Sequence, residues 1–320
     1  MRTVMTNQPV KILPVLAACI VMLVTEANGG SIFVANFDFD NQQGSIGEYT
    51  TSGATLNPKL ITQGLATPVG IAVFGSNLFV TDPNAHKINK YTIGGGTLSN
   101  PLISMSSPFG IAASESHLFV TDAFAGTVSE YTTAGATVNA SLITGFERPL
   151  GIAVFGSRLF VTDYLAGTIG EYTTSGQIVN PSFITGLAQP ISIAVTSSDL
   201  FVTQDNGTVG EYNLDGTVVN AQLISGLVTP YGIAAFGGNL FVTSVNNGTI
   251  GEYTLTGATV NASLISGLTQ PTGLVITGGH SVSESGNSFA MLMLGCVGLL
   301  AWRSISLRWR LSFVRATPTR

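Results

Sequence analysis

The sequence contains few charged residues and almost no cysteine. Charged residues make up 9% of the 320, and the two cysteines, Cys19 and Cys296, each lie in a terminal apolar segment. The part between residues 28 and 280 therefore has no thiol, which excludes a disulfide framework and cysteine chemistry there. Five basic residues in this part oppose fifteen acidic ones, giving a net charge of about −10. Because nucleic-acid binding requires a basic face, no nucleic-acid partner is expected.

Residues 1–27 are predicted to form a signal peptide. Arg2 and Lys11 precede the apolar run ILPVLAACIVMLV (12–24), and small residues follow it. This succession is typical of secretory signals, and cleavage is expected after Ala27. The segment LAAC (16–19) also matches the bacterial lipoprotein box, which leaves lipidation of Cys19 open as an alternative.

The C-terminal end divides into a polar segment (279–288), an apolar run (289–302) and an arginine-rich tail (303–320). The run is shorter than the ~20 residues of a full membrane span, and the arginines favour a cytoplasmic tail. An ordinary tail anchor is one interpretation.

The same layout resembles the PEP-CTERM class of bacterial sorting signals. In VSESGNS (282–288), Val282, Ser285 and Gly286 match its VPDSG-type motif, whereas Ser283 and Glu284 depart from it. The resemblance implies export, membrane anchoring through residues 289–302 that is at least transient, and an exosortase-type sorting protease as partner.

Residues 28–278 consist of six repeats. The tyrosine of the phrase GEY and its variants recurs every 40 to 42 residues, at Tyr49, Tyr91, Tyr131, Tyr172, Tyr212 and Tyr253. Each repeat divides into four short strands separated by glycine-containing turns: A (GIAV, 151–154), B (LFVT, 159–162), C (TIGEYT, 168–173) and D (QIVNPSFI, 177–184). This period with four strands is the signature of propeller blades.

The order of the fragments predicts a closed ring. The repeats begin with strands B, C and D (32–62) and end on a lone strand A, TGLVI (272–276). An open solenoid would instead carry atypical capping units. We therefore predict an all-β, six-bladed propeller of four-stranded antiparallel blades, whose last strand completes the first sheet. Strand D should form the outer edge, because Pro58, Pro101 and Pro181 lie in it.

The repeat phrase P-x-G-I-A-V, G-x-L-F-V-T-D and G-T-I-x-x-Y resembles the NHL-repeat family of propellers over residues 31–277. That resemblance implies the fold but not one activity, since the family covers binding modules, lactonases and lyases. Its lactonases and streptogramin lyases use clustered Glu, Asn, Asp or His at the channel mouth, a set that the present repeats do not match.

Differences between the repeats concentrate on the face formed by the B–C and D–A loops. A binding face is predicted there, while neutral drift of the loops is the alternative. The expected contacts are Phe109, Leu150, Tyr231, Arg148, Phe124 and Tyr164.

The residues that end strand B form a second ring, and three of them, Asp82, Asp122 and Asp163, are carboxylates. Oxygen ligands converging on a channel could hold a hard cation such as calcium. The favoured interpretation is that these side chains accept backbone N–H groups and shape the B–C turn. No metal or other cofactor is therefore expected.

The remaining titratable residues do not indicate catalysis. Five glutamates that precede the tyrosine of strand C, with Lys90 in the sixth place, are interpreted as solvated or hydrogen-bonded rim residues. His86 and His117 lie in or beside loops of neighbouring repeats, and His280 follows the last strand. Since catalytic pairs must converge on one substrate, no catalytic residue is assigned.

We expect an exported, monomeric, non-enzymatic module of the bacterial envelope or extracellular matrix that binds polysaccharide or envelope proteins. The alternative is a metal-dependent hydrolase or lyase at the channel mouth.

Overall fold

The computed structural model describes residues 29–38 and 40–278. The predicted signal peptide, the sorting residues Val282, Ser285 and Gly286, the apolar run and the basic tail lie outside the described residues. Within the described part, no helix has the length and apolarity needed to cross a membrane.

Six separate four-stranded antiparallel sheets make up the molecule, which confirms the predicted six-bladed propeller. The A strands are β4 (Ile71–Phe74), β8 (Pro108–Ser114), β12 (Pro149–Phe155), β16 (Pro190–Val195), β20 (Pro230–Phe236) and β24 (Pro271–Thr277). The B strands are β1 (Ser31–Asp38), β5 (Asn77–Asp82), β9 (His117–Asp122), β13 (Arg158–Asp163), β17 (Asp199–Gln204) and β21 (Asn239–Ser244).

The C strands are β2 (Gln43–Thr50), β6 (Lys87–Thr92), β10 (Thr127–Thr132), β14 (Thr168–Thr173), β18 (Thr208–Asn213) and β22 (Thr249–Thr254). The D strands are β3 (Thr55–Ile61), β7 (Thr97–Ser104), β11 (Thr137–Thr144), β15 (Ile178–Ile184), β19 (Val218–Ile224) and β23 (Thr259–Ile265). Blade 1 is the sheet β24-β1-β2-β3, and blades 2 to 6 follow in chain order. A short 3-10 helix, Pro83–Ala85, lies in the B–C loop of blade 2.

Most of the hydrophobic core lies in six clusters, one at each junction between neighbouring blades. Side chains alternate between the two faces of a strand, so the phrase LFV supplies both junctions of its blade. In blade 3, Leu118 and Val120 pack toward blade 2, whereas Phe119 packs toward blade 4. A single blade would leave two apolar faces in water, and the ring of blades buries both.

Strand β24 closes the ring as the sequence predicts. It pairs antiparallel with β1, with Ile276 opposite Ile32 and Leu274 opposite Val34. The first and last parts of the propeller therefore share one sheet, and this sheet contributes to the same type of interblade cluster as the others.

A threonine of strand B links each of blades 2 to 6 to the next blade. In blade 4, the Thr162 hydroxyl accepts the N–H of Gly151 at 2.7 Å and donates to the carbonyl of Ile191 in blade 5 at 3.2 Å. Equivalent hydroxyls of Thr81, Thr121, Thr203 and Thr243 donate to the carbonyls of the following A strand.

Blade 1 has Ala35 at the equivalent place and forms its link differently. There the N–H of Gly273 donates to the Val69 carbonyl at 2.9 Å, and the Thr272 hydroxyl donates to the Pro68 carbonyl at 2.9 Å. These links fix the backbone of all six A strands around the channel.

The D strands form the outer edge, as predicted, but proline is only part of their protection. The register between strands C and D shifts in every blade. In five blades an asparagine of strand D accepts the backbone N–H two residues later, namely Asn57, Asn139, Asn180, Asn220 and Asn261. Such irregularities disturb the ladder of free backbone groups that another chain could pair with.

Candidate binding site at the channel mouth

The B–C and D–A loops lie together on one face of the disc, which we call the mouth face. In blade 4 the N–H of Tyr164, in the B–C loop, donates to the carbonyl of Arg148, in the D–A loop, at 2.9 Å. The A–B and C–D hairpin turns occupy the other face, which we call the turn face.

Large side chains close the channel on the mouth face. The residues after the initial proline of each A strand form a ring: Val69, Phe109, Leu150, Ile191, Tyr231 and Thr272. Phe109 and Tyr231 come from blades on opposite sides of the ring, yet their ring centroids are only 6.2 Å apart. Leu150 and Ile191 are buried beside them in one apolar cluster.

The channel below this closure is a cavity of about 260 Å³ lined by the six A strands. Glycines at the second position after the proline allow these strands to approach one another. A Cβ on Gly110 would lie 2.2 Å from the Leu150 carbonyl, and one on Gly273 would lie 2.1 Å from the Val69 carbonyl. Side chains of Ile, Ala and Val fill most of the remaining wall.

Arg148 and Tyr164 form a polar cluster beside the closure. The Arg148 guanidinium carbon lies 5.3 Å from the centroid of the Tyr164 ring, in cation–π geometry. The Tyr164 hydroxyl donates to the carboxylate of Asp205 in the next blade at 3.0 Å. The Nε atom of Arg148 is buried and has no hydrogen-bond partner among the described residues.

The two tyrosines of the mouth face remain protonated under ordinary conditions. Burial raises the pKa of the Tyr231 phenol above its usual value, while the nearby Arg148 guanidinium acts in the opposite direction. Burial and the hydrogen bond to Asp205 raise the pKa of Tyr164. The Tyr164 hydroxyl uses its proton in the bond to Asp205, whereas that of Tyr231 has no acceptor among the described residues.

Five of the six predicted contacts are at least partly exposed on the mouth face, and their role in binding stays a prediction. Phe109, Tyr231, Arg148 and Tyr164 are partly exposed, and Phe124, in the B–C loop of blade 3, is 78% exposed. Leu150 is different, since it is 4% exposed and packs against Ala123 and Ile191. Leu150 therefore has a packing role beneath the mouth, and its role as a ligand contact stays a prediction.

Sequence reasoning missed Asp205, Leu165 and Val228 on this face. Asp205 follows strand β17 and holds Tyr164 across the blade boundary, while Leu165 and Val228 are exposed apolar side chains of the loops. Asp205 lies 41 residues after Tyr164, one repeat period, so the two residues occupy equivalent places in neighbouring blades. That spacing could have indicated the contact.

The three candidate metal-binding carboxylates are each occupied by backbone groups of their own blade. Asp163 accepts the N–H groups of Glu147 and Arg148 at 2.8 and 2.9 Å. Asp82 accepts those of Ala66 and Thr67, and Asp122 accepts that of Ser107 together with two from its B–C loop. These contacts correspond to the turn-shaping interpretation.

The donor sets do not fit a resident calcium ion. In residues 29–38 and 40–278, no group of three His, Cys, Asp or Glu side chains lies close enough to hold a metal. The carboxylate oxygens of Asp82, Asp122 and Asp163 face loop N–H groups, and a metal at any of them would compete with those hydrogen bonds.

The glutamates of strand C lie toward the turn face and are paired with the first residue of strand B in four blades. Arg158 donates to Glu171 at 2.6 Å, and Asn239 donates to Glu252 at 2.7 Å. Ser31 bonds Glu48, and His117 lies 3.3 Å from Glu130. Glu130 and Glu171 are buried, so hydrogen bonding rather than solvation describes these two. His86 lies in blade 2, whereas His117 lies in blade 3, and His86 contacts the carbonyl of Ser106.

A scan against protein families matches residues 74–288 to the virginiamycin B lyase family. The chain belongs to this family. The match covers about two thirds of the chain and includes blades 3 to 6 entirely. A search of curated proteins gave no significant match.

Several solved structures have the same fold as this virginiamycin B lyase family member. A chain of a nidogen–laminin complex is 17% identical with a TM-score of 0.63, covering 78% of this chain and 98% of that one. Virginiamycin B lyase from Staphylococcus aureus is 19% identical with a TM-score of 0.51, covering 64% and 73%. A gluconolactonase from Xanthomonas campestris is 14% identical with a TM-score of 0.56, covering 66% and 83%. At these identities the likeness shows the fold alone.

Proposed function

We propose that this virginiamycin B lyase family member is a non-enzymatic, exported binding module of the bacterial envelope or extracellular matrix, and that it captures its ligand on the mouth face. The observation that carries the proposal is the closure of the channel by Phe109, Leu150, Ile191 and Tyr231. The closure turns the mouth into a shallow surface flanked by Arg148, Tyr164 and Phe124. Aromatic and guanidinium groups of this kind are enriched where proteins bind partners.

The charged groups at the mouth support binding rather than acid–base chemistry. A general acid or base must have a free group within reach of the proton that it transfers. Asp82, Asp122 and Asp163 are occupied by backbone N–H groups, and Asp205 accepts the Tyr164 hydroxyl. These four carboxylates are therefore held in supporting roles.

A glycan array tests the proposed function. The full-length chain should bind one or more extracellular polysaccharides, and Phe124→Ala should weaken that binding because it removes an exposed aromatic ring. Leu98→Ala is the matched control, since Leu98 is an exposed apolar residue on outer strand β7. Failure to bind any array glycan or extracted envelope fraction, or equal loss in both variants, would contradict the proposal.

The C-terminal segment supports export and processing, and mass spectrometry of the protein isolated from its native cells tests this. The PEP-CTERM-like layout of residues 279–320 leads us to expect a mature protein that lacks Arg320 after cleavage by an exosortase-type protease. An intact Arg320 in the mature protein would contradict processing and leave a tail anchor as the explanation.

A second candidate function is that of a channel-mouth lyase or lactonase, and family membership is the observation that favours it. Incubation with virginiamycin B and with gluconolactone, each with and without magnesium or calcium, tests it by chromatographic loss of the starting compound. We expect no loss, and no change of melting temperature at millimolar metal. Catalytic turnover of either compound would establish the enzyme instead.

A further inference from the structure

We propose that Arg148 is a carboxylate-binding residue and that the mouth face recognises a carboxylate attached to a six-membered ring. This inference rests on the proposed binding function and specifies the ligand chemistry of the same site. The site comprises the Arg148 guanidinium, the rings of Tyr164, Phe109 and Tyr231, and the exposed ring of Phe124.

The first observation is that Arg148 lacks a counterion. Its side chain makes no ion pair, and its buried Nε has no hydrogen bond, with any residue of 29–38 and 40–278. Three of the other four basic residues of the propeller have a hydrogen-bond partner, because Arg158 bonds Glu171, Lys90 bonds the Thr133 carbonyl and Lys87 bonds Asn100. Buried donors without a partner are rare in folded proteins, so an unpartnered guanidinium in a surface depression indicates an external acceptor.

The second observation is that two carboxylates of the mouth face, Asp163 and Asp205, already accept hydrogen bonds. Asp163 accepts the backbone N–H of Arg148 itself, at 2.9 Å, and a second N–H from Glu147. Asp205 accepts the Tyr164 hydroxyl at 3.0 Å. These two carboxylates therefore do not pair with the Arg148 side chain, whose Nε has no hydrogen bond to the described residues.

The third observation is the arrangement of rings around this cation. Tyr164 lies face-on to the guanidinium at 5.3 Å, and Phe109 and Tyr231 meet 6.2 Å apart next to it. Guanidinium recognises a carboxylate through two parallel N–H···O bonds, and the neighbouring aromatic rings favour a ring attached to that carboxylate. A uronic acid and an aromatic acid share this chemistry.

Binding of four small probes to the full-length chain tests the inference. The probes are glucuronate and benzoate, with glucose and benzyl alcohol as their uncharged counterparts, and binding is measured by NMR titration of the tyrosine and phenylalanine ring signals. Each acid should bind about tenfold or more tightly than its counterpart, because charge-assisted hydrogen bonds are about twice as strong as neutral ones. A preference for glucuronate identifies an acidic sugar as the source, and a preference for benzoate identifies an aromatic acid.

Arg148→Gln should reduce acid binding about tenfold or more, and Lys59→Gln, on outer strand β3, should leave it unchanged despite the same loss of charge. Melting curves check that both variants are folded. If Arg148→Gln does not fold, the shifts of the Tyr164 and Tyr231 ring signals in the wild-type titration still show whether the acids bind at the mouth face. Equal binding of acids and uncharged probes overturns the carboxylate assignment, and so does an equal loss of acid binding in both variants. The glycan array tests the binding function independently of this result. No binding of either acid also overturns the assignment.

Discussion

The arginines on the two faces of the propeller differ in the hydrogen bonds that their side chains make. On the turn face, Arg158 donates to Glu171 and to the Leu214 carbonyl, and it lies over the Phe160 ring at 4.7 Å. On the mouth face, Arg148 has one aromatic neighbour and no hydrogen bond from its side chain to the described residues. The turn face satisfies the guanidinium of Arg158 internally, whereas the mouth face leaves the side chain of Arg148 without a hydrogen bond.

The difference follows from how each face is packed. On the turn face, every C–D turn contains a glycine of positive φ that docks against strand D of the previous blade, such as Gly176 against the Leu142 carbonyl. On the mouth face, the threonine links fix the backbone of the ring while its side chains change from blade to blade. A repeated scaffold therefore positions a surface that does not repeat.

Opening the ring of blades should have the largest effect on stability, because the packing of both faces depends on ring closure. A chain ending at residue 270 lacks β24 and therefore Leu274 and Ile276 of the junction between blades 6 and 1. We expect no cooperative melting by circular dichroism. A chain ending at residue 278 is the control, since it keeps β24. Equal melting of the two chains would contradict closure.

A smaller effect is expected where the A strands approach one another. Gly110→Ala places a Cβ 2.2 Å from the Leu150 carbonyl, so the backbone must move, and the free energy of unfolding should fall by about 3 kcal/mol. Urea unfolding measures it. Ser192→Ala is the matched control, because Ser192 occupies the same place in blade 5 and already has a Cβ. A fall of the same size in Ser192→Ala would show that the glycine spacing is not the cause.

The two arginines give the direct test of the comparison between the faces. Arg158→Gln should lower the free energy of unfolding by about 1–2 kcal/mol, because the largely buried Glu171 loses its partner. Arg148→Gln should lower it by less than about 1 kcal/mol, since no hydrogen bond is lost and only the cation–π contact with Tyr164 disappears. Chemical unfolding of both variants measures the difference. A larger loss for Arg148→Gln would show that its role is structural.

The repeats were sufficient to predict the fold, whereas the site was predicted only in outline. The recurrence of LFVT and the lone final strand A predict blades and closure, since a period and its interruption are properties of the sequence itself. The contact between Phe109 and Tyr231 depends on the channel width, and the burial of Leu150 depends on packing among three blades. Neither this contact nor this burial can be predicted from a local sequence pattern. The edge proline in strand D was readable, but the asparagine bonds that accompany the register shifts became visible only in the structure.

The smallest effect expected is a dependence of stability on alkaline pH that distinguishes the tyrosine of a blade junction from one on the mouth face. Burial raises the pKa of Tyr172 to about 12, above the ordinary value of about 10. The unfolded chain therefore releases this proton first as the pH rises, so the contribution of Tyr172 is fully present below about pH 10 and is lost toward about pH 12.

Tyr172→Phe should remove this contribution, so the mutant should lose less unfolding free energy than the wild type between about pH 9 and about pH 11. Tyr164→Phe is the comparison on the mouth face, where the phenol is partly exposed, and its pH dependence should stay closer to that of the wild type. Urea unfolding at the two pH values measures both. If Tyr164→Phe flattens the alkaline loss more than Tyr172→Phe does, Tyr164 would be the more deeply buried of these two tyrosines, and its assignment to an accessible surface would be wrong.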